Sequence, residues 1–210
     1  RGKIYNQRLK LTDRTDVMSD DKIIMLNKKA LISLSRDKAT KEYIDGLGCE
    51  NILGGCPTLF INEVPHHLVP IADKDKTDAL ISVRTPTLMS VPIHYQFKVR
   101  EEIIDTINYL KSNGYKKVKL LCHDHRDIPF AASFQDIEYL YAEDVYTYLS
   151  FLKNTKLSIT YRLHAFLPCL SFNIPSINIS YDQRALSMVE TIGLEEWNIN
   201  MLHGDVVKEV

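Results

Sequence analysis

Apolar positions along this chain follow two periods that alternate. Short apolar runs, typical of buried strands, are separated by longer segments in which apolar residues recur at helical spacing. The predicted strands cover residues 30–35, 78–83, 117–122, 137–141, 157–161 and 176–181, with strand-like pieces around Asn51 and Leu59. Strands that alternate with helices in this way predict a doubly wound parallel sheet, which is the Rossmann-like α/β class.

The helical segments are marked by capping residues as well as by their period. Asp37 and Asp144 are predicted N-caps, and Gly193 is a predicted helix stop. The predicted helices cover residues 20–29, 37–47, 97–112, 145–152 and 162–173, followed by an amphipathic helix that ends at Gly193. Pro168 lies within the helix 162–173, and we expect it to bend that helix because proline interrupts the backbone hydrogen bonding.

The chain divides at a short polar segment. Residues 1–72 contain too few strands to close a domain, so we interpret them as the tail of a first α/β domain whose beginning is missing. Residues 73–77, with the sequence DKDKT, are the predicted linker. Residues 78–210 are the predicted C-terminal Rossmann-like domain. The chain starts at Arg1 without an initiator methionine, which we interpret as a sign of a processed or truncated piece.

Composition excludes several classes of protein. The 26 Lys and Arg residues nearly balance the 27 Asp and Glu residues, which argues against a nucleic-acid-binding surface. No apolar stretch approaches the ~20 residues of a membrane span. The four cysteines, Cys49, Cys56, Cys122 and Cys169, form no CxxC pair and are predicted to be buried, reduced thiols. These features predict a soluble, cytoplasmic protein.

Arginines follow the ends of four predicted strands. Arg36, Arg84 and Arg184 come directly after, or within a few residues of, three of them, and Arg162 with His164 follows the fourth. Ligands of open α/β sheets bind beyond the carboxyl ends of the strands. The guanidinium group matches carboxylate and phosphate in geometry, so the sequence predicts one cleft for a small anion that carries both groups.

The segment Cys122–Asp127, with the sequence CHDHRD, has the composition of a metal site. His123 and His125 are spaced i, i+2, and the rest of the sequence offers no matching group of ligands. We therefore predict that this loop holds no metal, and that it is either polar lining of a site or a solvent-facing turn. No cofactor is predicted.

Several of these residues also form motifs that resemble a known family. The runs 161–165 (YRLHA), 174–176 (IPS), 181–184 (YDQR) and 191–194 (TIGL) are similar to the C-terminal signature of the polysaccharide pyruvyl transferases. Ser35-Arg36-Asp37 with Thr40, and Cys56-Pro57, resemble the motif at the end of that family's first domain. The resemblance runs from about Ala30 to Met201.

The resemblance implies a two-domain architecture similar to the type B glycosyltransferases and phosphoenolpyruvate as the donor. The acceptor would be a saccharide or lipid-linked saccharide on the way to a surface polysaccharide or exopolysaccharide, and the product a pyruvyl ketal. The family's donor-binding residues fall on Arg36, Arg84 and Arg162, with Leu163 and Arg184 as further contacts, and its essential histidine falls on His164. A peripheral membrane association is compatible with such an acceptor.

Two positions depart from the family pattern. Many members have lysine where this chain has Arg184, and many have aspartate where it has Cys56. A guanidinium does not deprotonate in proteins, so Arg184 could not replace a lysine that shuttles protons. Two alternatives stay open at this point: a sugar-nucleotide-dependent type B glycosyltransferase, whose basic edge would hold a diphosphate, and an inactive scaffold fragment.

Overall fold

The structure is a computed structural model, and it describes residues 3–4, 12–13, 18–63, 68–89 and 91–210. The strands within these ranges are β1 (Lys3–Ile4), β2 (Thr12–Asp13), β3 (Leu34–Ser35), β4 (Ile52–Leu53), β5 (Thr77–Val83), β6 (Val118–Cys122), β7 (Tyr139–Leu140), β8 (Thr155–Thr160), β9 (Ser176–Ser180) and β10 (Asn198–Asn200). The α-helices are α1 (Asp20–Lys29), α2 (Lys38–Gly46), α3 (Ile93–Ser112), α4 (Ile128–Ala132), α5 (Val145–Lys153), α6 (Leu163–Ser171), α7 (Gln183–Ile192) and α8 (Val206–Glu209).

Backbone contacts divide the chain into two compact units. The first unit takes in the described residues up to Pro57 together with Asp182–Glu196, and the second takes in those of Thr58–Tyr181 together with Trp197–Val210. This division differs from the predicted one, because it falls before the segment 73–77 and assigns α7 to the first unit. Within that segment Asp73–Asp75 form a 3₁₀ turn and Thr77 opens β5. The interpretation of residues 1–72 as the tail of a larger domain stays a prediction.

The second unit contains a six-stranded sheet in the order β10-β9-β8-β5-β6-β7. All of its neighbouring strands are parallel, which confirms the predicted parallel sheet. The chain adds β6 and β7 on one side of β5 and then β8, β9 and β10 on the other. The strand order therefore reverses between β5 and β8, and ligands of doubly wound sheets bind beyond the carboxyl ends at such a reversal.

Both faces of this sheet are buried, as expected for a parallel sheet covered by helices. Along β5, Ala79, Ile81 and Val83 pack into one apolar cluster with residues of α3, α4 and α8. The intervening Leu80 packs on the other face with residues of α5 and α6. The alternation follows from the period of two of a strand, and it places β5 in the core up to the residue before Arg84.

The first unit is built around the short parallel pair of β3 and β4. Asp37 caps α2 by accepting a hydrogen bond from the backbone N–H of Thr40 at 3.0 Å, as its position before the helix predicted. The hydroxyl of Ser187 on α7 also donates to Asp37, at 3.1 Å. The backbone N–H of Lys38 donates to the hydroxyl of Thr191 at 2.9 Å, so side chains of α7 hold the start of α2.

Three predicted elements differ in the structure. The strand predicted for residues 30–35 is limited to Leu34–Ser35, because β4 offers only two residues for pairing. Leu59, predicted in a strand-like piece, lies in the 3₁₀ turn Pro57–Glu63. The strand predicted for residues 137–141 is limited to Tyr139–Leu140, at the edge of the sheet, where β6 is its neighbour. The β propensity of a segment does not by itself form a strand where no neighbouring strand continues the backbone hydrogen bonds.

The bend expected at Pro168 lies one turn earlier. Within α6, His164 departs from helical geometry, with φ −82° and ψ 16°. Pro168 has no N–H to donate to the carbonyl of His164, and a proline ring crowds the carbonyl of the residue four positions before it. The steric effect of Pro168 therefore falls on the backbone of the predicted catalytic histidine.

Candidate anion-binding site

Two of the predicted arginines stand where the strand order of the sheet reverses. Arg84 follows the last residue of β5, and Arg162 lies two residues beyond β8 and forms the N-cap of α6. Because β5 and β8 are hydrogen-bonded neighbours, their carboxyl ends deliver both guanidinium groups to one crevice. Both side chains are largely buried, with 13% and 16% of their surface exposed.

A buried aspartate lies within reach of both arginines. Asp127 has a fully buried side chain, and its Oδ1 is 3.6 Å from Nη1 of Arg84. Its Oδ2 is 4.0 Å from Nη1 of Arg162. A second carboxylate, Asp124, lies 4.0 Å from Arg84, but it also receives hydrogen bonds from Arg126 through both of its oxygens. The crevice therefore combines two guanidinium groups with one carboxylate that is shared between them.

Asp127 is held in place by a neighbouring residue of the crevice. The backbone N–H of Thr85 donates to Oδ1 of Asp127 at 2.9 Å, and the hydroxyl of Thr85 lies 3.1 Å from the same oxygen. Asp127 also occupies the N-cap position of α4, yet its side chain makes no capping hydrogen bond there. The carboxylate is thus turned away from its own helix toward the residues that follow β5.

The two guanidinium groups of the crevice are both positive, so placing them close together costs electrostatic free energy. Burial, followed by the charge of Arg162, lowers the pKa of Arg84 from its usual value, and Asp127 opposes that shift. Nη1 of Arg84 and Oδ2 of Asp127 are buried, and neither has a hydrogen-bond partner within the described part of the chain. Buried polar atoms without a hydrogen-bond partner lower the stability of the fold unless a further group forms hydrogen bonds with them.

A neutral histidine borders the same crevice. Nδ1 of His123, at the end of β6, lies 2.9 Å from the hydroxyl of the buried Tyr148 on α5. Burial is the main cause that lowers the pKa of His123 to about 4, and the charges of Arg162 and His164 add to it. Burial also raises the pKa of Tyr148, so both groups are neutral near pH 7.

His164 and Leu163 occupy the first turn of α6, directly after Arg162. His164 is exposed, Leu163 is partly buried, and the electrostatic influence of His164 reaches His123. The second unit thus brings together Arg84, Arg162 and the surroundings of His164 at the carboxyl edge of its sheet. That edge is where the strand-end pattern predicted them.

The remaining predicted arginines, Arg36 and Arg184, belong to the first unit and contact residues of that unit. Nη2 of Arg36 lies 3.4 Å from Oδ2 of Asp37 and donates to the carbonyl of Arg184 at 3.4 Å. Nε of Arg184 donates to Asp182 at 3.0 Å, and 72% of the Arg184 side chain is exposed. The convergence of Arg36 and Arg184 with the other three residues on one cleft stays a prediction.

The loop Cys122–Asp127 contributes side chains to the crevice, which is the first of its two predicted roles. His123, Asp124 and Asp127 line it, whereas His125 is exposed. Within residues 18–63, 68–89 and 91–210, no cluster of three His, Cys, Asp or Glu side chains has the arrangement of a metal site. The predicted burial of Cys49, Cys56, Cys122 and Cys169 is confirmed, and none of the four forms a disulfide within the described part of the chain.

Sequence reasoning did not single out Asp127, Thr85 or Tyr148. Asp127 stands before Ile128-Pro129, a pattern typical of a helix N-cap, and the pattern conceals the contact with Thr85, which is 42 residues away in the sequence. Thr85 directly follows Arg84, a predicted strand-end arginine, and this position was the only feature of the sequence that could have indicated Thr85 as a site residue. Tyr148 was indistinguishable from the other apolar positions of its helix.

Comparison with known proteins agrees with the motifs. The family model for polysaccharide pyruvyl transferases matches residues 20–183, which is most of the chain. The chain belongs to the polysaccharide pyruvyl transferase family, as the resemblance at Arg162 and His164 implied. No curated protein matches the chain.

Two solved structures share the fold. The UDP-GlcNAc 2-epimerase of Methanocaldococcus jannaschii, in complex with UDP-GlcNAc and UDP, is 14% identical with a TM-score of 0.58, over 85% of this chain and 52% of that one. A putative UDP-N-acetylglucosamine 2-epimerase from Listeria monocytogenes is 12% identical with a TM-score of 0.52, over 87% of this chain and 50% of that one. At these identities the similarity shows the α/β fold alone, and it confirms the predicted class. The chain spans about half the length of both structures.

Among the described residues, no helix combines the length and the apolar character that crossing a bilayer requires.

Proposed function

We propose that this protein transfers a pyruvyl group from phosphoenolpyruvate to a saccharide and forms a pyruvyl ketal. The observation that carries the proposal is the pair Arg84 and Arg162, largely buried at the reversal of strand order. Nη1 of Arg84 has no hydrogen-bond partner within the described residues. Phosphoenolpyruvate presents a carboxylate and a phosphate close together, and two guanidinium groups from adjacent strands are suited to bind both. Membership of the family supports the same donor.

The reaction needs a definite movement of protons. The methylene carbon of phosphoenolpyruvate takes up a proton and becomes a methyl group, and the oxygen of one sugar hydroxyl bonds to the central carbon as that hydroxyl loses its proton. A second hydroxyl then bonds to the same carbon, the bond from that carbon to the phosphate oxygen breaks, and the phosphate departs. One of the two protons released by the hydroxyls replaces the proton used at the methylene, and the other leaves with the phosphate.

We assign the proton transfer to His164, because imidazole is the side chain in this motif that ordinarily titrates near neutral pH. Arg84 and Arg162 stabilise the negative charge of the donor and of the departing phosphate. Arg36, Leu163 and Arg184 are proposed as further donor contacts from the resemblance alone. The acceptor is a saccharide or lipid-linked saccharide precursor of a surface polysaccharide. We place the reaction in the cytoplasm, where cysteines stay reduced, because the four cysteines form no disulfide within the described residues.

The test compares donors on one preparation of the protein. Phosphoenolpyruvate and UDP-GlcNAc are each offered with a set of pyranosides that carry free neighbouring or 4,6-related hydroxyl pairs, and product mass and released phosphate are measured. We expect a mass gain of one pyruvyl ketal, with one phosphate released for each, from phosphoenolpyruvate only. Transfer from UDP-GlcNAc would instead favour the glycosyltransferase alternative and refute the proposal.

A matched pair of variants tests the histidine. His164→Asn is expected to lower turnover by ~10²-fold or more while it keeps most of the affinity for phosphoenolpyruvate, because the arginines still bind both anionic groups. His125→Asn, at an exposed histidine of the neighbouring loop, is the control and is expected to leave both quantities unchanged. Retained turnover in His164→Asn would remove His164 from the chemistry.

A further inference from the structure

The carboxylate of Asp127 is an unexpected group for a site that binds an anion. A fixed negative charge within 4.0 Å of both guanidinium groups repels any anionic ligand that approaches them. Asp127 is also fully buried, so its charge is not weakened by direct contact with solvent. A residue that opposes the ligand in this way needs a role of its own.

Clamping the arginines through hydrogen bonds is not that role. The distances of 3.6 Å to Arg84 and 4.0 Å to Arg162 are longer than the roughly 2.7–2.9 Å of charge-assisted hydrogen bonds. The hydrogen bonds that Asp127 accepts come from Thr85, and its Oδ2 has no hydrogen-bond partner within the described residues. Asp127 therefore acts on the two arginines through its charge, while Thr85 determines where that charge lies.

The charges around the crevice show what Asp127 balances. Arg84 and Arg162 repel each other, and the charge of Arg162 disfavours the charged form of Arg84. Asp124 is engaged by the fork of Arg126, and His123 is held neutral by its surroundings. Asp127 is thus the fully buried negative charge that opposes the repulsion between the two guanidinium groups.

We propose that Asp127 is a built-in counter-anion, which stabilises the arginine pair when the ligand is absent and competes with the anionic ligand when it binds. The proposal rests on the proposed function only in taking the ligand to be a phosphate-bearing anion. Its consequence is a limited affinity for inorganic phosphate. The carboxylate offsets the charge of the arginine pair as the phosphate departs, so the product of the proposed reaction is released rather than retained.

The test uses Asp127→Asn and inorganic phosphate as the probe. Asparagine keeps the oxygen that accepts from Thr85 and removes the charge. Without phosphate, we expect a lower melting temperature than in the wild type, because the repulsion between the arginines is no longer balanced. In calorimetric titrations we expect phosphate to bind about tenfold more tightly, the usual effect of one unit charge at short range in a partly solvated site, and to raise the melting temperature more than in the wild type.

Asp78→Asn is the matched control. Asp78 also accepts hydrogen bonds from backbone N–H groups, those of Lys116 and Lys117, and pairs with Lys156, but it lies at the start of β5 rather than at its end. We expect Asp78→Asn to bind phosphate with the affinity of the wild type. Phosphate should raise its melting temperature by no more than it raises that of the wild type. Should Asp127→Asn not fold, Arg84→Gln is compared with the double variant Arg84→Gln/Asp127→Asn, in which the repulsion is smaller and the same tenfold gain is expected.

Three results would overturn the proposal. Weaker phosphate binding in Asp127→Asn would show that the carboxylate orients the arginines, and unchanged binding would show that it does not compete. Absence of phosphate binding in both proteins would show that the pair is not an anion site. The phosphate titration needs no acceptor, so a failure to observe pyruvyl transfer would not refute the role of Asp127. Pyruvyl transfer together with an unchanged phosphate affinity in Asp127→Asn would refute the role of Asp127 but not the proposed function.

Discussion

Aspartate–arginine pairs occur in both units of the molecule, and they are of different kinds. In the first unit Asp37 and Asp182 are the N-caps of α2 and α7, each accepting from a backbone N–H three residues further along. Their arginine partners, Arg36 and Arg184, lie one and two residues away in the sequence. Both carboxylates keep their role as helix caps, and Asp37 in addition accepts a hydrogen bond from the hydroxyl of Ser187.

In the second unit the pairing of Asp127 with Arg84 and Arg162 is tertiary. Asp127 occupies a cap position without capping, and its anchor Thr85 is 42 residues away. The arginines it approaches come from the ends of two other strands, and Nη1 of Arg84 has no hydrogen-bond partner among the residues that the structure describes. In this molecule the carboxylate that makes no capping hydrogen bond lies at the candidate site, and the two that cap their helices lie at helix ends.

The largest effect is expected from removing an arginine of the tertiary cluster. Arg162→Ala should weaken phosphoenolpyruvate binding by on the order of 2–5 kcal/mol, because a largely desolvated charge-assisted contact is lost. Arg184→Ala is the comparison, and it should cost less than about 1 kcal/mol because its side chain is mostly exposed and already paired with Asp182. Calorimetric titration of both variants measures the difference. Equal losses would show that the first unit contributes as much to donor binding as the second.

The neutral histidine of the cluster predicts a pH dependence of stability. The pKa of His123 is about 4 in the folded protein and 6.5 in a model peptide, so below pH 6.5 the unfolded chain binds a proton that the folded chain does not. The contribution to stability is present above pH 6.5 and is lost as the pH falls to 4. With allowance for partial exposure, we expect the loss to be about 2 kcal/mol.

His123→Asn should remove this pH dependence, and His125→Asn, at an exposed position, should keep it. Urea unfolding of the three proteins between pH 4 and pH 7 measures the free energy of unfolding. A wild-type curve that runs parallel to that of His123→Asn would show that the crevice does not disfavour a positive charge at His123.

A smaller effect is expected at a local cap of the first unit. Asp37→Ala should lower the free energy of unfolding by about 1–2 kcal/mol, because the N–H of Thr40 loses its acceptor. Asp37→Ser should restore most of the loss, since serine is also a good cap. Chemical denaturation distinguishes the two variants. Phosphate should stabilise neither Asp37 variant more than it stabilises the wild type, in contrast to Asp127→Asn. A larger stabilisation of Asp37→Ala by phosphate would place Asp37 at the anion site.

The smallest effect tests whether local pairs are weak inside the second unit as well. Arg126 reaches Asp124 two residues away, and the hydrogen bonds from Arg126 are the main reason that the pKa of Asp124 is lowered. Because the Arg126 side chain is mostly exposed, Arg126→Gln should leave the melting temperature unchanged within the error of calorimetry. A clear decrease would mean that the pair supports the loop that carries Asp127.

Much of the fold and part of the site follow from local sequence. The alternation of apolar runs with helical periods determines the order of strands and helices, and Asp37 and Asp144 each cap the helix that their position predicts. Arg84 and Arg162 could be predicted to share an edge, because all parallel strands of one sheet present their carboxyl ends on the same side. These features depend on hydrogen bonds within a few residues or on a rule of strand direction.

Only the tertiary structure decided which strand ends meet and what lies between them. The order β10-β9-β8-β5-β6-β7 makes β5 and β8 neighbours, and it thereby brings together two arginines that are far apart in the sequence. The same packing turns Asp127 from a helix cap into a partner of Thr85 and places His123 against Tyr148. The energy of a buried charge depends on every group around it. Those groups come from several elements, so the surroundings of the two arginines could not be predicted from the sequence alone.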